Sequence, residues 1–142
     1  MNALGRFTPQ YLSLMARLND ITLYDEFHPA EGQRQFQQRA NYVSGLYWQH
    51  LHGYKPARTS RLSITLVPEQ RPARAWMVGS IAVIDQYAHA PTYDALSDSA
   101  KLRYLLDCLH DAVGHLCQAF QWDAAVFEQS YQQVEELHLE LQ

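Results

Sequence analysis

Residues 97–141 constrain the fold most, because they read as two amphipathic helices joined by a tight turn. Leu102, Leu106, Leu109, Val113, Leu116 and Phe120 recur at three- and four-residue steps, so they fall on one stripe of a helix. Ser97 and Ser99 are both candidate caps for its start, since a serine oxygen can accept from an unpaired N–H of the first turn. Asp123 is the natural cap of the following helix, whose stripe is Phe127, Tyr131, Val134, His138 and Leu141. Trp122 stands just before that cap and Phe127 four residues after it, the spacing of a hydrophobic staple. So short a connection sets the two helices antiparallel. At 142 residues the chain fits a single domain, 1–142.

The earlier two thirds switch period twice. Thr8 and Pro9 suit a helix start, and Tyr11, Leu12, Met15 and Leu18 then follow helical spacing until Asn19-Asp20. Residues 21–27 are ambiguous between helix and strand, and His28-Pro29 breaks the chain. A second helix is predicted from Gln33 to His52 on the stripe Phe36, Ala40, Val43, Tyr47 and Leu51, with Gly53 as a left-handed cap. Leu62, Ile64 and Leu66 alternate with Ser63 and Thr65, a half-buried strand. Trp76 to Ile84 is apolar on both faces, as in a strand that is covered or central in a sheet. The predicted fold is α+β: about four helices packed on a short antiparallel β-hairpin or sheet, with strands near 61–67 and 75–84. A lone hairpin is unstable, so residues 20–24 or the same edge of a second copy are expected to add a strand. A homodimer is expected on this ground, because an uncovered apolar edge tends to pair.

Composition bounds the setting. Hydrophobic residues make up 47% of the chain, enough for a core, and nine tyrosines and three tryptophans suit both cores and interfaces. No apolar run is long enough to span a bilayer and MNALGRFTPQ has no apolar signal core, so no membrane and a cytoplasmic setting are expected. Cys108 and Cys117 lie nine residues apart on one helix, turned to opposite faces, and read as reduced thiols.

Charge is uneven. Residues 55–84 carry Lys55, Arg58, Arg61, Arg71 and Arg74 against Glu69, whereas residues 85–142 carry ten acids against Lys101 and Arg103. That acidic half disfavours nucleic acid, which needs a basic footprint, and suits a basic protein partner. Solvated helix faces explain it equally well.

Each candidate for chemistry has a structural counter-reading. His110-Asp111 is similar to the metal-binding pair of His-Asp phosphohydrolases. Those read His-Asp-x-Gly where this chain reads His110-Asp111-Ala112-Val113-Gly114, and the β-hairpin is foreign to their all-helical domain. Asp111 falls opposite the apolar stripe, so both residues read as surface positions. Cys108, His110, His115 and Cys117 are zinc-type ligands, but the pairs sharing a face are seven residues apart, about 10 Å along the axis. No metal and no cofactor are expected. His50 and His52 diverge on a helix, and His138 on its stripe reads as a packed histidine. Nucleophile elbow, phosphate loop and dinucleotide fingerprint are missing from the sequence, so no catalytic residue is assigned.

The segment LLDCLHDAVGHLCQAFQWDAAVFEQSYQQVEE resembles the closing helix pair of small bacterial α+β proteins, some of them of the polymorphic-toxin immunity type. The resemblance implies a non-catalytic protein that binds another protein; it transfers no functional residues. The charge pattern names the acids expected to meet a basic partner: Asp107, Asp111, Glu128, Glu135, Glu136 and Glu140. The alternative is a small ligand-binding domain or enzyme. Its pocket would lie between helix 33–52 and strand 75–84, lined by Tyr42, Trp48, His50, His52 and Trp76.

Overall fold

A computed structural model describes residues 18, 20–28, 33–56 and 58–139. The helix expected from Thr8, and Glu140 at the other end, lie outside them. Ile21 and Leu23 are buried between less buried neighbours, so the ambiguous segment resolves as strand β1 (Asp20–Asp25). Helix α1 (Gln33–Gln49) follows, then strands β2 (Arg61–Val67), β3 (Ala75–Val78) and β4 (Ile81–Tyr87). A short helix α2 (Ala90–Asp94) leads to α3 (Asp98–Phe120) and α4 (Ala124–Val134), and α4 runs on into a π-helical turn, Glu135–Leu139. The fold is α+β, with four α-helices and a four-stranded sheet among the described residues.

The sheet is not the antiparallel hairpin of 61–67 with 75–84. Its order is β1-β2-β4-β3, with β1, β2 and β4 parallel and only β3 antiparallel, against β4. Two local causes account for the difference. Gly79 takes φ +61° between the paired residues Val78 and Ile81, so residues 75–84 fold back on themselves over a two-residue turn. The seven residues 68–74 are long enough to carry β3 past the position next to β2, and β4 then fills that place. Parallel β1 and β2 need a crossover, which α1 supplies.

Helices α1 and α3 touch each other, and both rest on the sheet face formed by Ile21, Leu23, Leu62, Ile64, Leu66, Ala82 and Ile84. Those residues and the predicted α1 stripe are buried; Tyr47, Phe36 and Phe127 are the largest fully buried side chains. The other sheet face carries Thr22, Tyr24, Ser63, Thr65, Ile81 and Val83, none of them buried among the described residues.

Helix ends follow the local chemistry. Helix α1 stops at Gln49, three residues earlier than expected, because its last turn tightens: Leu51 N–H donates to the Trp48 carbonyl and His52 N–H to that of Gln49. His52 (φ 52°) and Gly53 (φ 74°) then take left-handed conformations, the second as its lack of a Cβ allows. Ser97, rather than Ser99, caps α3 by accepting from Ala100 N–H, and Asp123 caps α4 by accepting from Ala125 N–H. Trp122 stacks on Phe127 at 6.0 Å, the staple in place. Among the described residues no helix is long and apolar enough to cross a membrane.

Candidate functional site

Helices α3 and α4 meet along a seam whose rungs follow from antiparallel helical spacing. Arg103 pairs with Glu135, the Tyr131 hydroxyl donates to Asp107 Oδ1 at 2.8 Å, and His110 Nε2 faces Glu128 Oε2 at 2.7 Å. Positions 103, 107 and 110 step along α3 as 135, 131 and 128 step back along α4. The His110 ring lies flat on Tyr131, and its Nδ1 is 2.9 Å from the hydroxyl of fully buried Tyr47. A carboxylate has no proton to give, so His110 Nε2 carries the proton it shares with Glu128. The same Tyr47 hydroxyl donates to the Phe127 carbonyl at 3.3 Å.

His110 is therefore not the bare surface residue the helical wheel predicts. Its neighbour Asp111 is exposed, opposite the stripe as expected. Partial burial, and then the Asp107 carboxylate one turn away, hold the Asp111 carboxyl above its ordinary range. Asp111 and His110 line a cleft of about 420 Å³ with Gln86, Gly114, His115 and Gln118.

The structure places three of the six expected partner-binding acids on this seam, all engaged within the molecule: Asp107 by Tyr131, Glu128 by His110 and Glu135 by Arg103; Asp111 stands beside it in the cleft that faces Gln86 of β4. Glu136 is exposed, like Asp111. Burial, then Asp107, pushes the Tyr131 hydroxyl up to about 12, so this tyrosine is a hydrogen-bond donor rather than a base.

Among the described residues, those expected to line a pocket between helix 33–52 and strand 75–84 are not brought together, because α1 rests on β1, and β1 and β3 are opposite edges of the sheet. Trp48 stands beside β1 in a cleft of about 360 Å³ with Asp20, Thr22 and Ser44, and donates to the Leu18 carbonyl at 2.6 Å. Trp76 lines a separate groove with Arg71, Arg74 and Asp85. Tyr42 is exposed. His50 turns away from both toward the end of α4, where Nδ1 meets Gln133 Oε1 and Nε2 meets His138 Nε2, each at 3.1 Å. His52 sits edge-on to His50 at 6.1 Å. Burial, then the His138 neighbour, lowers the His50 pKa.

Burial also pushes Cys108 up to about 12 and Cys117 to about 11, which keeps both as thiols. Among the described residues, no group of three or more His, Cys, Asp or Glu side chains is placed to hold a metal ion.

The cluster around His28 has no counterpart in the sequence reading. His28 is clamped between Asp25 (Nδ1 to Oδ2, 2.9 Å) and Asp94 (Nε2 to Oδ1, 2.7 Å), tying the end of β1 to α2. Its ring packs among Phe27, Phe36 and Tyr93. The partners Asp25 and His28 were visible as neighbours; Asp94, 66 residues away, was not.

In comparisons with known proteins, no family model, no curated protein and no solved structure matches this chain.

Proposed function

We propose that the protein is a non-catalytic protein-binding module, immunity-like in kind, that receives a basic partner on the exposed acidic face of α3, beside its seam with α4. One observation carries this reading: Asp111 lines an open cleft and is crowded by Asp107 one turn away, which the neighbouring His110 and His115 offset only in part. A lysine or arginine entering the cleft would relieve that crowding, and the exposed Glu136 would steer its approach. The engaged acids Asp107, Glu128 and Glu135 hold the seam rigid, which lowers the entropic cost of docking. A bacterial, cytoplasmic setting and a homodimer paired through the open edge of β3 belong to the same reading.

The experiment is capture from the native host with the immobilised full chain, at low and at high salt. A basic protein held at low salt and released at high salt is expected. Asp111→Asn with Glu136→Gln should weaken capture, and Glu69→Gln, an exposed acid on the loop before β3, should not. Capture indifferent to the acidic pair, or a turnover activity that survives it, overturns the proposal.

A further inference from the structure

The histidine pair joining α1 to the C-terminal turn carries an inference independent of the acidic seam. His50 and His138 stand 88 residues apart in sequence, yet their Nε2 atoms are 3.1 Å apart. Two nitrogens bound to one zinc-type ion, each at about 2.0–2.1 Å, stand roughly 2.9 Å apart at a right angle and roughly 3.3–3.4 Å apart at the tetrahedral angle. The observed separation falls between these limits.

Two further features point the same way. His50 Nδ1 is 3.1 Å from Gln133 Oε1, and an amide oxygen only accepts, so Nδ1 carries the proton and the Nε2 lone pair faces His138. An outer partner on the second ring nitrogen is the usual way a ligating histidine is oriented. The backbone also departs from the α-helix where it places His138. Gln133 and His138 are five residues apart, about 140° around a regular α-helix. The π-helical turn Glu135–Leu139, with its i→i+5 period, swings His138 back toward the Gln133 side. Such turns are rare, and they recur at functional sites.

We propose that His50 and His138 together chelate one transition-metal ion of the zinc, nickel or copper class through their Nε2 atoms. Gln133 is a positioning residue, and water completes the coordination shell. Imidazole nitrogen selects these ions over magnesium and calcium, which take oxygen. Without metal, His138 Nε2–H donates to His50 Nε2; on binding, that proton moves through solvent to His138 Nδ1, and both lone pairs meet the ion. The ion staples the end of α1 to the end of α4.

The test is isothermal titration calorimetry on the tag-free full chain with zinc chloride, nickel chloride and magnesium chloride in turn. One equivalent of zinc or nickel should bind, and magnesium should not. His50→Ala and His138→Gln should each abolish the isotherm, Gln133→Ala should weaken it by about ten-fold or more, and His115→Ala should leave it unchanged. In the folded protein, zinc should shift the imidazole 15N signals of both Nε2 atoms. Circular dichroism separates loss of binding from loss of fold, and the 15N shifts do not depend on any variant. Binding that persists in His138→Gln, an unbound chain in excess zinc, or 15N shifts confined to other histidines overturns the site.

Discussion

The imidazole of His110 lies flat on the phenol ring of Tyr131, with ring centres 4.3 Å apart and planes 21° from parallel. That contact locks a histidine whose two nitrogens are already committed to Tyr47 and Glu128. The Tyr47 hydroxyl is the sensitive part, since it is fully buried and, among the described residues, the Phe127 carbonyl is its only other hydrogen-bond contact. His110→Ala should therefore cost about 1–3 kcal/mol, more than a surface position would. Urea denaturation measures it, and a double-mutant cycle with Tyr47→Phe should show non-additivity. A loss within about 0.5 kcal/mol would mean that His110 behaves as a solvated surface residue.

Asp111 should respond in the opposite sense. Its folded-state pKa is raised, by burial first and by Asp107 second, so folding favours the protonated acid. The contribution to stability is therefore fully present below the unfolded carboxylate pKa and is lost as pH rises through the folded value. Asp111→Asn removes the charge without removing the shape. It should stabilise the protein at pH 7 by about 0.2–0.5 kcal/mol, the scale of an i,i+4 like-charge pair, and the gain should vanish in acid. Melting temperatures across pH check the sign; a gain that grows in acid would refute it.

The sequence showed what is local and hid what is distant. The Trp122–Phe127 staple, the Asp123 cap and the buried stripe of α1 each depend on residues within about one turn, so periodicity alone placed them. Parallel pairing of Leu62 with Ala82 leaves no such trace, and the Gly79 turn was masked by apolar residues on both sides of it. The same limit applies to the sites. A wheel sorted Asp111 correctly because exposure is a property of one helix. It missed His110, whose fate is decided by Tyr47 at 63 residues' separation, and the meeting of His50 with His138.

The two cysteines should be inert in the native state. Cys108 and Cys117 are both buried, and burial holds their thiols at about 12 and about 11, so at pH 8 neither supplies much thiolate. Ellman's reagent should therefore react slowly with folded protein, at a rate set by opening of the fold, and two equivalents should appear when denaturant is added. Immediate reaction of either thiol at pH 8 would show that α3 exposes it.

Strand β3 offers the last prediction, because it ends the sheet order and no described strand pairs with its outer side. In a two-residue hairpin the closing pair, here Val78 with Ile81, exchanges hydrogen bonds, so Ala75 and Met77 direct their backbone groups outward. A second β3 can meet them antiparallel across a two-fold axis and join two sheets into one. Trp76 (39% exposed) and Val78 (55% exposed) would then extend one apolar surface across the junction. Sedimentation of the 16.4 kDa chain at micromolar concentration should give twice that mass. Val78→Lys places a charge on the edge, the usual guard against strand pairing, and should return the monomer. The substitution site faces solvent, so the fold itself should change by less than about 0.5 kcal/mol. A wild-type chain that sediments as a monomer, or a lysine variant that stays dimeric, rules out pairing through β3.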